Sequence, residues 1–354
     1  MSVAPLPAEG PVPPSGTGAP CRLSVAEYVT FREQGFLVVR GLVPRYEVDQ
    51  LRAHTEDIIH QRIALPGVPP APIAARGAGG HSAVLDPTAL GEIERRYVRI
   101  HMLHRTLEIH ERFLLHPRIL DVLEALIGPD VLAMQTMLFL KPPGSDGQGY
   151  HQDSYYIPTL PDSLCGAWLA IDRADLANGC MRFTVGSQHE PIYPDAHNRR
   201  AHYPLGELQD LAIIENASDT DPARNGLTPV AHRYAGREVV VEADPGDVVF
   251  FAGHVLHRSL ANDTRDRFRR SFVGHYANAR SYTEWGGGNR AHILARGTTH
   301  LPYAQPKFGT SCAANGPRPS DSARGPALTM MADGGVMAAT PTERSRLEPE
   351  SHER

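Results

Sequence analysis

The order of the elements in the sequence predicts an α+β fold, with helices first and short strands afterwards. Up to about residue 130, apolar residues recur at helical spacing between recognisable start and stop signals. From Val131 onward, the apolar residues fall into short runs that are typical of β-strands. This order predicts that the second half of the fold is a β-sandwich or a small barrel.

Three segments divide the chain. It has 354 residues, of which 41% are hydrophobic, and this is enough for a sizeable core. Residues 1–21 are rich in Pro, Gly and Ala, and residues 313–354 lack apolar periodicity, so we expect a disordered leader and a disordered tail. A single folded domain then covers 22–312. Within it, the polar and irregular segment 190–236 is a candidate lid or substrate wall.

The composition excludes several classes of partner. A formal charge of -5 without a basic run argues against a nucleic acid or an anionic membrane surface. Four cysteines without CxxC spacing predict reduced thiols and a cytoplasmic location. The sequence shows no signal-peptide pattern and no run of about 18 apolar residues, so we expect no membrane span. Two lysines among 35 basic residues suggest a high-GC bacterial source, and no pattern indicates an oligomeric state.

Helix signals occur at three places in the N-terminal part. Ser24 and Glu27 form a capping box, in which each side chain satisfies the backbone amide of the other residue. The predicted helices run from Val25 to a stop at Gly35, from about Arg45 to Gln61, and over Pro117–Ile127. A short strand is predicted at Phe36–Val39.

Six apolar runs predict the strands of the second half. They are Val131–Lys141, Gly166–Ile171, Met181–Val185, Val239–Glu242, Val248–Phe251 and Arg269–Tyr276. Asn178-Gly179 is a two-residue hairpin signal just ahead of Met181.

Two His-x-carboxylate pairs compete as candidate metal ligands. His54 and Glu56 lie in a predicted helix, where residues i and i+2 do not share a face. His151 and Asp153 lie in probable extended chain, where residues i and i+2 do share a face. The second pair is therefore the better candidate, although a strand-edge histidine and a turn-capping aspartate would explain it equally well by itself.

A second histidine segment strengthens the hypothesis of a metal site. His254 and His257 follow the predicted buried strand Val248–Phe251, and polar side chains beside such a strand need a reason. Either histidine could join His151 and Asp153. Two imidazoles and one carboxylate form the ligand set of the non-haem Fe(II) oxygenases.

These residues belong to an ordered set of motifs that resembles a known family. The set is Lys141-Pro142-Pro143-Gly144, His151-Gln152-Asp153, Ala167–Asp172, Asn178–Phe183, Gly186–His189, Pro245–Phe251 and His257-Arg258-Ser259, followed by Asn262 and Arg269. In this order the motifs resemble the phytanoyl-CoA dioxygenase family of Fe(II)/2-oxoglutarate oxygenases over about residues 24–280, except 190–236. The resemblance implies a double-stranded β-helix (jelly-roll or cupin-like) core with flanking N-terminal helices.

The resemblance also implies the chemistry. His151, Asp153 and His257 would be the iron ligands and the catalytic centre, with Fe(II), 2-oxoglutarate and O2 as cofactor and cosubstrates. The expected reaction oxidises, by default hydroxylates, a C–H bond of a small molecule and releases succinate and CO2. Related halogenases lack the carboxylate, so Asp153 favours a hydroxylase. The alternatives are a non-catalytic or 2-oxoglutarate-independent metal-binding β-barrel. The substrate is expected only to be a small molecule, and a compound of bacterial secondary metabolism is one candidate.

The cosubstrate residues follow from the same resemblance. Arg269 stands where the family binds the distal carboxylate of 2-oxoglutarate, and a guanidinium fork suits a carboxylate. Its neighbours Arg267 and Arg270 remain alternatives. The resemblance places three further residues in the cosubstrate pocket, namely Ser259, Trp168 and Met137, and packing alone would also explain Met137.

Several residues are predicted to surround the substrate. Tyr155 and Tyr156 are candidates for its wall, although strand packing would explain them equally well. The segment Tyr282–Thr299 is a further candidate, and its glycine-rich part Glu284–Gly288 is a candidate flap. Lys141 could mark a charged rim of the pocket, but as a lone lysine it is expected to be a solvated surface residue.

Overall fold

The computed structural model describes residues 20–60, 62–63, 99–196 and 208–308, and the backbone of 328–330 and 336–338. Six α-helices lie within these ranges. They are α1 (Val25–Gln34), α2 (Arg45–Ile59), α3 (Glu108–Leu114), α4 (Pro117–Ile127), α5 (Asp153–Tyr156) and α6 (Thr228–His232). The capping box of α1 is confirmed, because Ser24 Oγ accepts from the Glu27 amide at 3.2 Å and Glu27 Oε2 accepts from the Ser24 amide at 2.6 Å. Gly35 ends this helix at a φ of +83°.

Thirteen strands occur in the described part of the chain. In order they are β1 (Phe36–Val39), β2 (Arg99–His101), β3 (Val131–Phe139), β4 (Gln148–His151), β5 (Cys165–Ala170), β6 (Met181–Thr184), β7 (Glu238–Val241), β8 (Val248–Ala252), β9 (His257–Ser259), β10 (Ser271–Asn278), β11 (Ile293–Arg296), β12 (Leu328–Met330) and β13 (Val336–Ala338). All six strands predicted for the second half are present, with ends that differ by at most two residues. The arrangement confirms the predicted α+β class.

The main strands form two antiparallel sheets. The large sheet has the order β1-β8-β5-β10-β3-β11, with β2 paired to β3, and the small sheet has the order β4-β9-β6-β7. The chain crosses repeatedly between the two sheets, because β4, the consecutive pair β6 and β7, and β9 are separated in sequence by strands of the large sheet. Each crossing carries residues from distant parts of the sequence into the space between the sheets.

Two apolar clusters explain how the layers hold together. One cluster packs α2, α3 and α4 against one face of the large sheet, with Leu51, Phe113 and Leu123 at most 1% exposed. The other lies between the sheets and includes Trp168 and Phe251 from the large sheet and the fully buried Phe183 from the small sheet. Burial of side chains of this size stabilises each cluster by about 1.5–3 kcal/mol per residue. The helices therefore cover the outer face of the large sheet, and its inner face is free to build a site.

The hairpin prediction at Asn178-Gly179 is wrong. A turn does form there, with Gly179 at a φ of +75°, but it connects β5 of the large sheet to β6 of the small sheet. Asn178 is fully buried, and its side-chain amide donates to the carbonyls of Arg173 and Phe268 at 2.8 and 3.3 Å. The signal identified a tight turn correctly, but the pairing partners of its flanking strands lie elsewhere in the chain.

The predicted terminal segments lie largely outside the described residues. The predicted tail contains β12 and β13, which pair with each other as two short antiparallel strands. Within the described part of the chain, no helix is both long enough and apolar enough to cross a bilayer.

Candidate metal centre

His151 and Asp153 are brought together at the junction of β4 and α5. His151 ends the strand, Gln152 remains extended at φ −122° and ψ 126°, and Asp153 begins a single helical turn. The prediction of extended chain therefore holds for His151 but not for Asp153. The Gln152 side chain fixes the junction by donating to the carbonyls of Pro191 and His254 at 3.1 and 2.9 Å. The two side chains still converge, with His151 Nε2 3.6 Å from Asp153 Oδ1.

His257 completes the group from the neighbouring strand. It lies directly opposite His151 in the β4–β9 ladder, and the two imidazole centroids are 4.0 Å apart. His257 Nε2 is 3.8 Å from Asp153 Oδ1, and one ligand atom from each of the three residues lies within 4.8 Å of the others. His254 points away, because its Nδ1 bonds the Glu190 carbonyl and its Nε2 faces Asp162. Among the described residues, the three side chains are thus a group that could hold a metal ion.

The second nitrogen of each imidazole sets its orientation. Nδ1 of His151 lies 2.9 Å from the Gly149 carbonyl, and Nδ1 of His257 lies 3.1 Å from the Val255 carbonyl. Because a carbonyl only accepts, each Nδ1 carries the proton and each Nε2 presents a lone pair to the centre. Backbone carbonyls commonly orient metal-binding histidines in this way.

Burial and mutual proximity fix the charge of the group. Burial, and then the neighbouring His257, lower the pKa of His151 to about 3, and burial also lowers the pKa of His257. Burial opposes ionisation of Asp153, but the nearby histidines, His257 foremost, hold its pKa below the ordinary value. At neutral pH the group therefore consists of two neutral imidazoles and one carboxylate, which suits a divalent cation.

His275 is a polar partner of the group that the sequence analysis did not assign. Its Nε2 donates to Asp153 Oδ2 at 2.9 Å, and the side chain is buried on β10. Because Oδ2 accepts this bond, Oδ1 is the carboxylate oxygen that faces both imidazoles. Strand alternation could have indicated this residue, since it places His275 on the same face as Arg269.

A cavity of about 330 Å³ opens beside the three residues. Its walls include all four residues predicted for the cosubstrate pocket, namely Met137, Trp168, Ser259 and Arg269. The volume lies at the lower end of the range for small-molecule sites. The sheets therefore bring together the residues that the resemblance selected.

Arg269 differs sharply from the two arginines that competed for its role. It is 5% exposed, its guanidinium carbon lies 5.7 Å from the centre of the Trp168 ring, and its buried Nε has no hydrogen-bond partner. Burial lowers its pKa to about 10, so the group remains a cation at neutral pH. Arg267 instead donates two hydrogen bonds to the Asp175 carboxylate. Arg270 forms ion pairs with Glu56 and Asp172. Of the three, only Arg269 lines the cavity.

The remaining walls agree in part with the sequence analysis. Tyr156 and Trp285 line the cavity, whereas Tyr155 stacks edge-on against Tyr156 and Tyr282 is 47% exposed. Arg99 and His101 of β2 also line it, and no sequence signal had indicated that strand.

The predicted surface lysine needs correction, whereas the lid or substrate wall at 190–236 stays a prediction. Of the residues described within 190–236, none lines the cavity, and Tyr193, Leu227 and Val230 pack instead in a separate apolar cluster with Tyr150. Residues 197–207 lie outside the description. Lys141 is only 4% exposed, so the expectation of a solvated side chain is wrong.

His54 and Glu56, the pair that the sequence analysis rejected as metal ligands, do not share a face of their helix. His54 packs edge-on near His110 at a centroid distance of 5.3 Å, and Glu56 pairs with Arg270 and His60. The two side chains of this helical pair diverge and form no joint site.

Two neutral imidazoles and a carboxylate, facing a cavity between two antiparallel sheets, define the class of non-haem metal oxygenases. Residues 31–271 match the family model described as phytanoyl-CoA dioxygenase (PhyH). The chain belongs to this family of Fe(II)- and 2-oxoglutarate-dependent oxygenases, as its motifs predicted.

Individual relatives agree with this assignment. The peroxisomal phytanoyl-CoA dioxygenase of Rattus norvegicus is 30% identical over 263 residues, which cover 73% of this chain and 69% of the rat protein. The probable phytanoyl-CoA dioxygenase of Caenorhabditis elegans is 28% identical over 269 residues, which cover 72% and 76% of the two chains.

Solved structures share the fold. EctD from S. alaskensis with 2-oxoglutarate and 5-hydroxyectoine superposes with a TM-score of 0.56 at 16% identity, covering 83% of this chain and 89% of EctD. The non-heme monooxygenase ThoJ superposes with a TM-score of 0.53 at 25% identity, covering 79% and 88%. The carbocyclase SnoK from nogalamycin biosynthesis has a TM-score of 0.52 at 21% identity, covering 75% and 89%.

Proposed function

We propose that the protein is an Fe(II)- and 2-oxoglutarate-dependent dioxygenase with a double-stranded β-helix core that hydroxylates a C–H bond of a small molecule. Succinate and CO2 would be the coproducts. The observation that carries the proposal is the coincidence, in one cavity, of a metal-ligand group and the buried, unpartnered guanidinium of Arg269.

Three atoms of this chain would hold the iron. They are Nε2 of His151, Oδ1 of Asp153 and Nε2 of His257, because the second polar atom of each side chain is already bonded elsewhere. Three protein ligands on one side of a six-coordinate ion leave the other side open for small molecules. Bound there, iron would supply the activation of O2 that is coupled to decarboxylation of 2-oxoglutarate.

Arg269 would bind the distal carboxylate of 2-oxoglutarate. A buried cation without a carboxylate partner is costly by itself, and a bound carboxylate would offset that cost. Trp168 lies against the guanidinium, and Ser259 offers a hydroxyl in the same cavity. Met137 would contribute apolar contact from β3.

Hydroxylation is the outcome that the ligand set favours. With Asp153 present, a carboxylate and two imidazoles would all bind the metal, and no protein ligand would be missing in favour of a halide. Solved structures with this fold include a carbocyclase and an epimerase, so the site itself must direct the outcome.

An anaerobic titration tests the proposal. Fe(II) is added to the purified apoprotein, then 2-oxoglutarate, and the visible charge-transfer band of the chelated iron is recorded. We expect the band in the wild type, its loss in His257→Ala, and its retention in the matched control His254→Gln. Iron binding without the band would overturn the assignment of 2-oxoglutarate and favour a metal-binding protein that does not use this cosubstrate.

A further inference from the structure

Lys141 occupies an unusual position for a lysine. This chain uses arginine for all but two of its 35 basic residues, yet a lysine stands at the buried junction after β3. Its ammonium group donates to Ser259 Oγ at 3.2 Å, to the Gly179 carbonyl at 3.4 Å and to the Leu260 carbonyl. All three acceptors are neutral, and two of them lie at the end of β9.

The surroundings of Lys141 require a compact cation. Gly179 has a φ of +75°, and a Cβ at this position would lie 2.8 Å from Lys141 Nζ and against the Leu260 and Ala261 carbonyls. The backbone can approach the ammonium this closely only because residue 179 has no side chain. The three acceptors surround a point charge, whereas a guanidinium is planar and needs a larger, flatter site.

Lys141 and Arg269 form a buried positive region on which Asp146 and Asp263 act only as more distant charges. Among the described residues, no carboxylate lies within ion-pair distance of either group. Burial, and then the charge of Arg269, hold the pKa of Lys141 well below its ordinary value. An anion bound between Ser259 and Arg269 would relieve the strain of placing two cations together in a low-dielectric region.

Ser259 connects Lys141 to the cavity. Its side chain lines the cavity, whereas Lys141 does not. A hydroxyl has one proton to donate and two lone pairs. Because Ser259 Oγ accepts from Lys141, its proton is free to be donated into the cavity, where Arg269 also points.

We infer that Lys141 is a positioning residue for the distal carboxylate of the cosubstrate, acting through the hydroxyl of Ser259. This inference rests on the proposed function. Lys141 orients the Ser259 proton toward the carboxylate and adds its positive charge behind the hydroxyl. Arg269 binds the same carboxylate from the Trp168 side, so a dicarboxylic 2-oxo acid is preferred over a monocarboxylic one.

The charge-transfer band provides a test that does not depend on turnover. Anaerobic Fe(II) protein is titrated with 2-oxoglutarate and, separately, with 2-oxobutyrate, which chelates iron equally but has no distal carboxylate. Wild type, Lys141→Met, Ser259→Ala and the double variant are compared. The matched control is Lys307→Met, which changes the second lysine of the chain, an exposed residue that donates to the Arg105 carbonyl.

We expect Lys141→Met to raise the half-saturating concentration of 2-oxoglutarate about 10- to 100-fold, as for loss of a charge-assisted hydrogen bond. The value for 2-oxobutyrate should change by less than about 2-fold, and Lys307→Met should match the wild type for both acids. In the Ser259→Ala background, Lys141→Met should have a much smaller effect, because the connecting hydroxyl is gone.

Three outcomes would overturn the inference. The 2-oxoglutarate titration of Lys141→Met could match the wild type, or its affinity for both acids could fall equally. Alternatively, the effects of Lys141→Met and Ser259→Ala on 2-oxoglutarate affinity could simply multiply in the double variant. An equal loss or multiplying effects would indicate that Lys141 only supports the turn at Gly179. If Lys141→Met fails to fold in a thermal melt, Lys141→Gln replaces it in the same comparison, because its amide NH2 keeps N–H donors for the carbonyls but carries no charge. Absence of the band from the wild type would instead contradict the proposed function itself.

Discussion

Arg269 and Arg270 are consecutive in the chain, yet they belong to two regions that follow opposite rules. Arg270 lies on the side of the helices, where two oxygens of Asp172 and one of Glu56 satisfy its guanidinium. Arg269 lies between the sheets, where its Nε has no partner. In the outer region, the charges of Arg270, Asp172 and Glu56 neutralise one another and stabilise the fold. In the inner region, the charge of Arg269 has no carboxylate beside it, and this is where a ligand can bind.

The largest expected effect is at the centre of the inner region. Asp153→Ala should abolish metal binding and turnover, because it removes the only anionic ligand and leaves two neutral imidazoles. The metal-free variant should still melt cooperatively, at a somewhat lower melting temperature, because His275 loses the acceptor of its hydrogen bond. Metal titration and a thermal melt measure the two effects, and full activity in this variant would exclude the assigned ligand group.

A matched pair of substitutions tests the contrast between the two arginines directly. Arg269→Met should weaken 2-oxoglutarate binding by about 30-fold or more, because truncating a buried charge that pairs with a ligand costs about 2–5 kcal/mol. Arg270→Met should leave that affinity unchanged but lower the free energy of unfolding by about 3 kcal/mol, because Asp172 and Glu56 lose their partner. Denaturant melts and cosubstrate titrations on both variants separate the effects. If the two profiles were reversed, Arg270 would be the cosubstrate ligand.

His275 tests whether the inner region depends on contacts beyond the ligands themselves. His275→Leu should weaken Fe(II) binding about 10- to 100-fold, because Asp153 Oδ2 would lose its donor and the carboxylate could rotate. His275→Gln keeps an N–H donor and should retain most of the affinity. His104→Gln, a buried histidine that bonds Thr136 outside the cavity, controls for the loss of any buried imidazole. Equal losses in all three variants would remove the special role of His275.

The smallest expected effect belongs to the outer region and depends on pH. His110 is fully buried beside Phe272, neither ring nitrogen has a hydrogen-bond partner, and burial lowers its pKa to about 3. Between about pH 6.5 and pH 3, the unfolded chain binds a proton here that the folded chain does not, so stability falls as the pH falls. His110→Leu should flatten this loss by on the order of 1 kcal/mol between pH 6.5 and 5. Urea melts at both pH values measure it, and an identical slope in the variant would contradict the assignment.

The sequence predicted the residues that face the centre of the cavity better than the residues that surround them. Residues 151, 153, 257 and 269 could be chosen as candidates because the order of the motifs carries that information, although Asp153 lies in a helical turn and not in the expected extended chain. The burial of Lys141 could not be predicted, because its acceptors lie 38, 118 and 119 residues away in the chain. The side chains of β2 escaped prediction because three residues are too few for a periodic pattern. In both cases, contacts between distant parts of the chain set the position of the residue, and local sequence preference did not.

The direct pairing of His151 with His257 across β4 and β9 has a consequence for how the chain tolerates change. Side chains in a strand alternate between faces, so a one-residue slip between these strands would turn one imidazole to the opposite side of the small sheet. The ligand group therefore forms only when two strands about a hundred residues apart have found their correct alignment. A single-residue insertion in either strand would eliminate metal affinity, and iron uptake would thus report on whether the small sheet has folded in register.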